Sequence, residues 1–321
     1  RGEADLGRRA AVGAAALFIL CGPVLAMESL VLMESLQLFL LTAALWAWPG
    51  RNRRAAAPLN FGVACGLLTT GRRVFLLLPM GRAGWVVWSA RPARHLAARM
   101  TGLVFAGLLV TLSPLAVYQS RASGNLQVLA LNGGLNLYLG NNPVTDGLYS
   151  LPDGIDLEND PTGVHGASVL AGRSLKPVEA DRFYAERART FGRRQPGRAL
   201  WLLGRKTLLF LTPREVPQID VFDVLRANAW PLRVAFVDFR WLLPLAVLGF
   251  AGIRTWRNTP PAPGAGPDRP SLSPWIVVVA VGWLSTILFF ATGRHRLPFL
   301  VGFLGPAGLG ASDLVGLVVG L

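Results

Sequence analysis

Long apolar runs divide the chain, and most of them approach the length needed to cross a bilayer. Eight such segments are separated by short basic connections and by one long polar region. In chain order they are residues 10–27, 29–48, 55–71, 73–90, 100–118, 237–253, 274–292 and 299–321. A membrane-crossing helix needs about 20 apolar residues, so the pattern predicts a polytopic helical membrane protein. The number of crossings within the shorter segments at 55–90 stays open.

Three regions follow from this pattern. Residues 1–118 are predicted to hold membrane helices that begin with a tight hairpin and include the two short segments. Residues 119–235 form the long polar region, and residues 236–321 return to the membrane around a Pro/Gly-rich linker at 254–272. The predicted fold class is therefore an all-α polytopic membrane bundle with a mixed extracytoplasmic loop region.

The polar region has a mixed local pattern. The stretch QVLALN resembles a short strand, and residues 177–195 have the pattern of a helix. Residues 197–212 are amphipathic but too short and too charged to span a bilayer, which predicts an interfacial helix lying on the membrane.

Composition agrees with a membrane protein. The hydrophobic fraction is 52% and the charged fraction is 16%, against about 25% charged residues in an ordinary soluble domain. Mean hydropathy is +0.43. The formal net charge of +14 comes almost entirely from arginines clustered at the segment ends, where they anchor to lipid headgroups, and no nucleic-acid-binding motif accompanies them.

The basic clusters also predict an orientation. The Arg-rich stretches 51–54, 91–99 and 254–257 are assigned to the cytoplasm by the positive-inside rule. If 55–90 crosses the membrane twice, region 119–235 is extracytoplasmic, and so is the RHR triplet at 294–296. A basic cluster on the disfavoured side of the membrane is a candidate site.

Familiar soluble chemistries have no support in the sequence. Cys21 and Cys65 both lie in apolar segments, where they are expected to pack as small residues, and no metal-ligand spacing occurs. Neither a P-loop nor a nucleophile elbow is present. The chain begins at Arg1 without a signal-peptide cleavage pattern, so we expect a piece of a longer protein whose N-terminal part is missing.

Four stretches together resemble a known family. They are GRRAAVGAAALFILCGPVLAMESLVLMESLQLFLL, NFGVACGLLTTGRRVFLLLP, LNGGLNLYLGNNPVTDGLY and FFATGRHRLPFLVGF. Their order and spacing resemble those of GT-C superfamily membrane glycosyltransferases, in the branch of the protein O-mannosyltransferases and the lipid A aminoarabinose transferase. Within that superfamily the chain is similar to the bacterial members of glycosyltransferase family 39. In the last stretch His295 stands where an aromatic residue is usual.

The resemblance implies a function. It implies a multi-pass enzyme of the bacterial plasma (inner) membrane, a hexosyltransferase that moves a sugar from a polyprenyl-phosphate donor to a hydroxyl of a protein, lipid or polysaccharide acceptor at the extracytoplasmic face. A divalent metal ion would be its one conceivable cofactor. The family's catalytic acid lies after its first membrane helix, upstream of this chain, so the base is expected to be missing here.

Five residues are candidates for the chemistry itself. Glu34 interrupts an apolar run at the point where the family has an acid, and it is the catalytic candidate; the alternative is a carboxylate at a hairpin tip. Arg72, Arg73, Arg294 and Arg296 are the candidates for binding the donor phosphate, because a guanidinium group matches phosphate geometry. Their alternative role is snorkelling or binding to lipid headgroups.

The Gly/Asn-rich stretch at 131–149 is the candidate sugar or acceptor loop. Its polar and aromatic side chains could bind a sugar, and its glycines permit tight turns. The candidates are Tyr138, Asn141, Asn142, Asp146 and Tyr149. The alternative is a self-supporting loop that caps the helices.

Two other classes of function compete with the enzyme. A membrane transporter or lipid flippase should show inverted repeats and broken helices with polar residues at mid-membrane. No repeat is evident in the sequence. A non-catalytic membrane scaffold is the third alternative.

Overall fold

The computed structural model describes residues 3–30, 32–48, 56–89, 94–123, 132–152, 154–218, 222–258 and 273–319. In these ranges the chain is helical apart from turns and two isolated β-bridges. The helices, with 3-10 turns marked η, are α1 (Glu3–Ile19), α2 (Gly22–Ser29), α3 (Met33–Trp46), α4 (Ala57–Gly71), η1 (Arg73–Leu76), α5 (Leu77–Ser89), α6 (Arg94–Ser123), α7 (Gly133–Gly140), α8 (Val164–Ala171), α9 (Pro177–Arg194), α10 (Pro196–Phe210), α11 (Phe222–Asn228), α12 (Trp230–Val234), α13 (Phe239–Asn258), α14 (Ser273–Leu288), α15 (Gly293–Arg296), η2 (Leu297–Leu300) and α16 (Val301–Val319).

The expected all-α fold is found in the described residues, where no strand occurs apart from two isolated β-bridges. The described part of the polar region contains helices α7 to α12 together with irregular stretches at 141–163 and 211–218. The predicted strand QVLALN lies, except for Asn132, outside the described residues, as does most of the predicted linker at 254–272.

Two helical stretches among the described residues are long and apolar enough to cross a bilayer. They are His95–Arg121, with 27 residues, and Gly293–Leu317, with 25 residues. The helices Met33–Trp46, Phe239–Gly252 and Ser273–Leu288 are apolar but shorter. The full polytopic bundle therefore stays a prediction.

Two predicted segments are interrupted. The expected continuous run at 10–27 breaks between α1 and α2, where Gly22 and Pro23 start a new helix. The backbone groups freed by the break bond to Val237, whose N–H donates to Leu20 O at 3.0 Å and whose carbonyl accepts from Gly22 N at 2.9 Å. The expected boundary inside 55–90 is found at Arg72, which has an extended backbone between α4 and η1.

The described chain forms two compact units. Unit 1 contains residues 1–115, 220–281 and 297–321, and unit 2 contains residues 116–219 and 282–296. These boundaries differ from the three predicted regions, because residues 220–235 group with the apolar helices and the RHR segment groups with the polar region.

Unit 1 packs through small residues. Helix α16 lies against both α1 and α13. A Cβ atom built on Gly310 would overlap the carbonyl oxygen of Leu245, and one built on Gly308 would overlap that of Ala10. Close backbone approach of this kind is how helices associate where the surroundings are as apolar as the side chains.

Unit 2 has an apolar core around Tyr184, built from α7, α8 and α9. The Tyr184 hydroxyl donates to the carbonyl of Gly163 at 2.9 Å, and the Asp181 carboxylate accepts from Gly134 N at 2.7 Å near the start of α7. Burial raises the pKa of Tyr184 to about 12. The buried core residues are Leu135, Leu139, Ile155, Ala167, Leu175, Ala180, Tyr184 and Phe290.

Candidate functional site

Glu34 and Arg72 form an ion pair inside unit 1. Glu34 lies in the first turn of α3, where the helix dipole favours a carboxylate, and Arg72 follows the last residue of α4. The Arg72 Nη2 atom donates to the Glu34 Oε1 atom. The Glu34 side chain is 1% exposed and that of Arg72 is 18% exposed. The structure thus joins two residues that the sequence assigned to different roles.

Gln37 completes the buried polar face of α3. It lies three residues after Glu34 and is 2% exposed. Among the described residues, neither polar atom of its side-chain amide has a hydrogen-bond partner. Gly71 allows the close approach, because a Cβ atom there would lie 2.8 Å from Gln37 Nε2. Sequence reasoning missed Gln37, although its spacing from Glu34 puts both side chains on one helix face.

The chemistry available at this site is electrostatic. The attraction between two charged side chains among apolar helices offsets their lost hydration only if the partners are well oriented. Arg73 follows directly in η1 and is half-buried. Across the described ranges, no three His, Cys, Asp or Glu side chains come together as a group that could hold a metal ion.

Arg296 is buried in unit 2 and bonded to the segment after α10. Its Nη1 atom donates to the carbonyls of Phe210 at 3.2 Å and Thr212 at 2.5 Å. Its Nη2 atom donates to the carbonyl of Arg214 at 3.3 Å and to the carboxylate of Glu215 at 2.7 Å. Four acceptors from the protein therefore surround the guanidinium group.

This placement changes the interpretation of the RHR triplet. Arg296 does not present its guanidinium to a ligand, because internal acceptors use it, so the phosphate-binding prediction rests on Arg294, which is half-buried. The His295 ring packs on Phe290 with centroids 4.9 Å apart. Glu215 is a partner that sequence reasoning missed, since 81 residues separate it from Arg296.

Two polar side chains of the candidate sugar loop, Asn142 and Asp146, form hydrogen bonds inside the loop. Asn142 Oδ1 accepts from Val144 N at 3.0 Å and Thr145 N at 2.9 Å, and the Asp146 carboxylate accepts from Leu148 N at 3.1 Å. These are the bonds of a self-supporting turn. The geometry favours the capping alternative for these side chains, and sugar contact by them stays a prediction.

The two loop tyrosines pack as aromatic residues of unit 2. Tyr138 stacks on Tyr184 with ring centroids 5.7 Å apart, and the Arg187 guanidinium lies 5.8 Å from the Tyr138 centroid. Tyr149 packs on Phe290 at 5.1 Å. Both rings are half-buried, and sugar stacking by them stays a prediction.

A buried lysine anchors the same loop and was missed from the sequence. Lys206 in α10 has no solvent exposure, and its Nζ atom donates to Asn141 Oδ1 at 3.0 Å and to the Ile287 carbonyl at 3.1 Å. Burial lowers its pKa from 10.5 to about 8. The sequence signal was only that Lys206 is one of two lysines in an arginine-rich chain.

The predicted site residues thus fall into two sets. Glu34, Arg72 and Arg73 belong to unit 1, whereas the loop residues, Arg294 and Arg296 belong to unit 2. The Glu34–Arg72 pair combines a predicted acid with a predicted phosphate ligand. Neither a protein-family model, nor a curated protein, nor a solved structure matches the chain.

Proposed function

We propose that this chain is a multi-pass glycosyltransferase of the bacterial plasma membrane. It would move a hexose from a polyprenyl-phosphate donor to an acceptor hydroxyl at the extracytoplasmic face, as its resemblance to the GT-C enzymes implies. The observation that supports this most is the buried Glu34–Arg72 pair at the break after α4. A charged pair among apolar helices is energetically costly, and such pairs typically mark functional sites.

The pair suits the departure of a phosphate. In the proposed reaction the bond between the sugar C1 atom and the phosphate oxygen breaks, while the acceptor oxygen bonds to C1. The acceptor's proton passes to a general base. The polyprenyl phosphate leaves with added negative charge, which a guanidinium group stabilises. Glu34 is then a positioning residue that orients Arg72, and Arg73 and Arg294 are further candidates for the phosphate.

One observation favours a lipid flippase or transporter as a second candidate. The helical run at 57–89 is interrupted at Arg72, and discontinuous helices with a polar break are typical of transport sites. Such a protein would also bind a lipid-linked phosphate. The two functions differ in whether the bond between sugar and phosphate is broken.

Transfer assays in the full-length protein test the proposal. Proteoliposomes would receive polyprenyl-phosphate hexoses labelled in the sugar, and both transfer to acceptor and movement across the bilayer would be measured. We expect transfer, with about a hundredfold loss in Arg72→Lys and Glu34→Gln, since an oriented charge in a dry site contributes that much. Glu186→Gln, an exposed carboxylate on α9, is the matched control. Movement of intact donor without transfer would replace the enzyme by the flippase.

A further inference from the structure

We propose that α10 rests on the membrane surface and binds the headgroup phosphates of anionic phospholipids with Arg198 and Arg205. The proposal needs the protein to be at a membrane, but it does not need sugar transfer. It assigns a lipid site to residues outside the candidate donor site.

One side of α10 is an exposed apolar stripe. Leu200, Trp201 and Leu208 are 68%, 46% and 71% exposed, and at 100° per residue they project on the same side of the helix. Leu202 and Phe210 face the opposite way and are buried. A soluble protein rarely exposes such a continuous apolar stripe to water, so this surface is expected to contact another molecule or a membrane.

Two arginines form one edge of that stripe and lie over the same ring. The Cζ atom of Arg198 is 4.0 Å from the centroid of Trp201, and that of Arg205 is 5.8 Å from it. The spacing of three and four residues places all three side chains on neighbouring turns. Stacking on tryptophan holds a guanidinium group in a fixed plane.

The candidate sugar loop fixes the same arginines from behind. Arg198 Nη2 donates to the Thr145 carbonyl at 2.9 Å, and Arg205 Nε donates to the Asp146 carbonyl at 3.2 Å. Each of these bonds uses one N–H group of a guanidinium that carries five. The two arginines, about two helical turns apart along α10, are thereby held over the same ring with donors left for an anion.

Charge and chemistry identify the occupant as an anionic bilayer surface. Helix α10 contains no Asp or Glu, so its own sequence supplies nothing to neutralise Arg198, Arg205 and Lys206. Helices that lie in the plane of the membrane–water interface typically combine leucine and tryptophan with neighbouring arginines. At that depth the arginines meet lipid phosphates, which guanidinium groups bind through paired hydrogen bonds.

A spin label measures whether the stripe enters the bilayer. The full chain carrying Cys21→Ala, Cys65→Ala and Leu208→Cys would be labelled with a nitroxide and placed in nanodiscs containing phosphatidylglycerol. The label should be more accessible to oxygen than to a water-soluble nickel complex. A label at Val169, an exposed position on α8, is the control and should show the reverse. Equal exposure to the nickel complex at both positions would overturn membrane docking, as would dipolar broadening that reports a second copy on the stripe.

Photoactivatable lipids measure the phosphate selectivity. Phosphatidylglycerol and phosphatidylcholine analogues would be compared by the labelling of α10 in nanodiscs. We expect preference for phosphatidylglycerol, reduced about fivefold for each arginine replaced in Arg198→Gln and Arg205→Gln, and partly kept in the corresponding Lys variants. Arg182→Gln with Arg194→Gln removes the same charge from exposed positions on α9 and should leave the preference unchanged. No preference in wild type, or competition by inorganic phosphate, would contradict a lipid site.

Discussion

Asn141 offers its side-chain oxygen to the buried Nζ atom of Lys206 at 3.0 Å, while its side-chain nitrogen donates to the Leu288 carbonyl at 2.7 Å. A single amide thus connects the loop after α7 both to α10 and to the end of α14. The connection depends on Lys206, whose positive charge is unfavourable in its buried position. Burial therefore lowers the pKa of Lys206 to about 8.

The stability of the protein should therefore rise in mildly alkaline solution. The unfolded chain binds a proton at Lys206 up to its ordinary pKa of 10.5, whereas the folded chain releases it near pH 8. The cost is fully present below pH 8 and is relieved as the pH rises between these values. We expect a rise in Tm on the order of 5 °C across this window. Lys206→Met should lack that rise, and parallel Tm profiles for the two proteins would contradict the assignment.

Glu34 and Arg72 should be strongly coupled in stability. Either Glu34→Gln or Arg72→Gln removes a charge–charge attraction at a largely buried site, at a cost of up to about 3 kcal/mol in the free energy of unfolding. The double variant should lose clearly less than the two single losses together. The exposed Glu186–Arg189 pair on α9 is the control, and its cycle should give less than about 1 kcal/mol. Additive losses at Glu34 and Arg72 would show that the pair acts as two separate side chains.

Arg294 and Arg296 should separate into two roles. The single ammonium nitrogen of a lysine carries three donors and cannot satisfy the four acceptors around Arg296. Arg296→Lys should therefore lower the free energy of unfolding by about 2 kcal/mol. Arg294→Lys should lower it less than Arg296→Lys does, but should weaken binding of the donor phosphate. Denaturant unfolding and donor binding, measured on the same preparations, distinguish the roles. Equal stability of the two variants would argue against the structural role of Arg296.

The orientation of unit 2 is testable by cysteine labelling. Val144 is 74% exposed, so Val144→Cys suits a thiol reagent better than Asn142, whose side chain holds the loop together. A membrane-impermeant reagent added outside should label Val144→Cys and leave Gly264→Cys unlabelled in intact cells. Gly264 lies outside the described residues and belongs to the predicted cytoplasmic linker. The opposite pattern would reverse the predicted orientation.

The local sequence pattern correctly predicted those helices whose ends and apolar faces are determined by neighbouring residues. The predicted helices at 177–195 and 197–212 correspond to Pro177–Arg194 and Pro196–Phe210. Apolar periodicity and the prolines at their first turns carry this information. The break at 72 was equally visible, because two arginines interrupt an apolar run.

Partners distant in sequence could not be predicted in this way. The local sequence does not distinguish Arg296, which is buried and bonded to carbonyls, from Arg294, which lies two residues earlier and is half-buried. Glu215 and Lys206 acquire their roles only when residues 210–216 meet residues 287–296. The unexpected break at Leu20 likewise depends on Val237, which supplies the hydrogen bonds that the helix gives up.

The division of unit 2 along the chain has a consequence for biosynthesis. Its two stretches, 116–219 and 282–296, are joined by Ala291 N to Gly147 O, by Gly293 N to Val216 O and by Arg296 to Glu215. The ribosome synthesises the first stretch well before the second. Until the second stretch is made, the acceptors at Gly147, Val216 and Glu215 lack these hydrogen-bond donors. Contacts this distant in sequence form late and slowly. The last step in assembling the polar unit is therefore set by translation through Arg296, and until then the nascent chain depends on solvent or on chaperones to protect it.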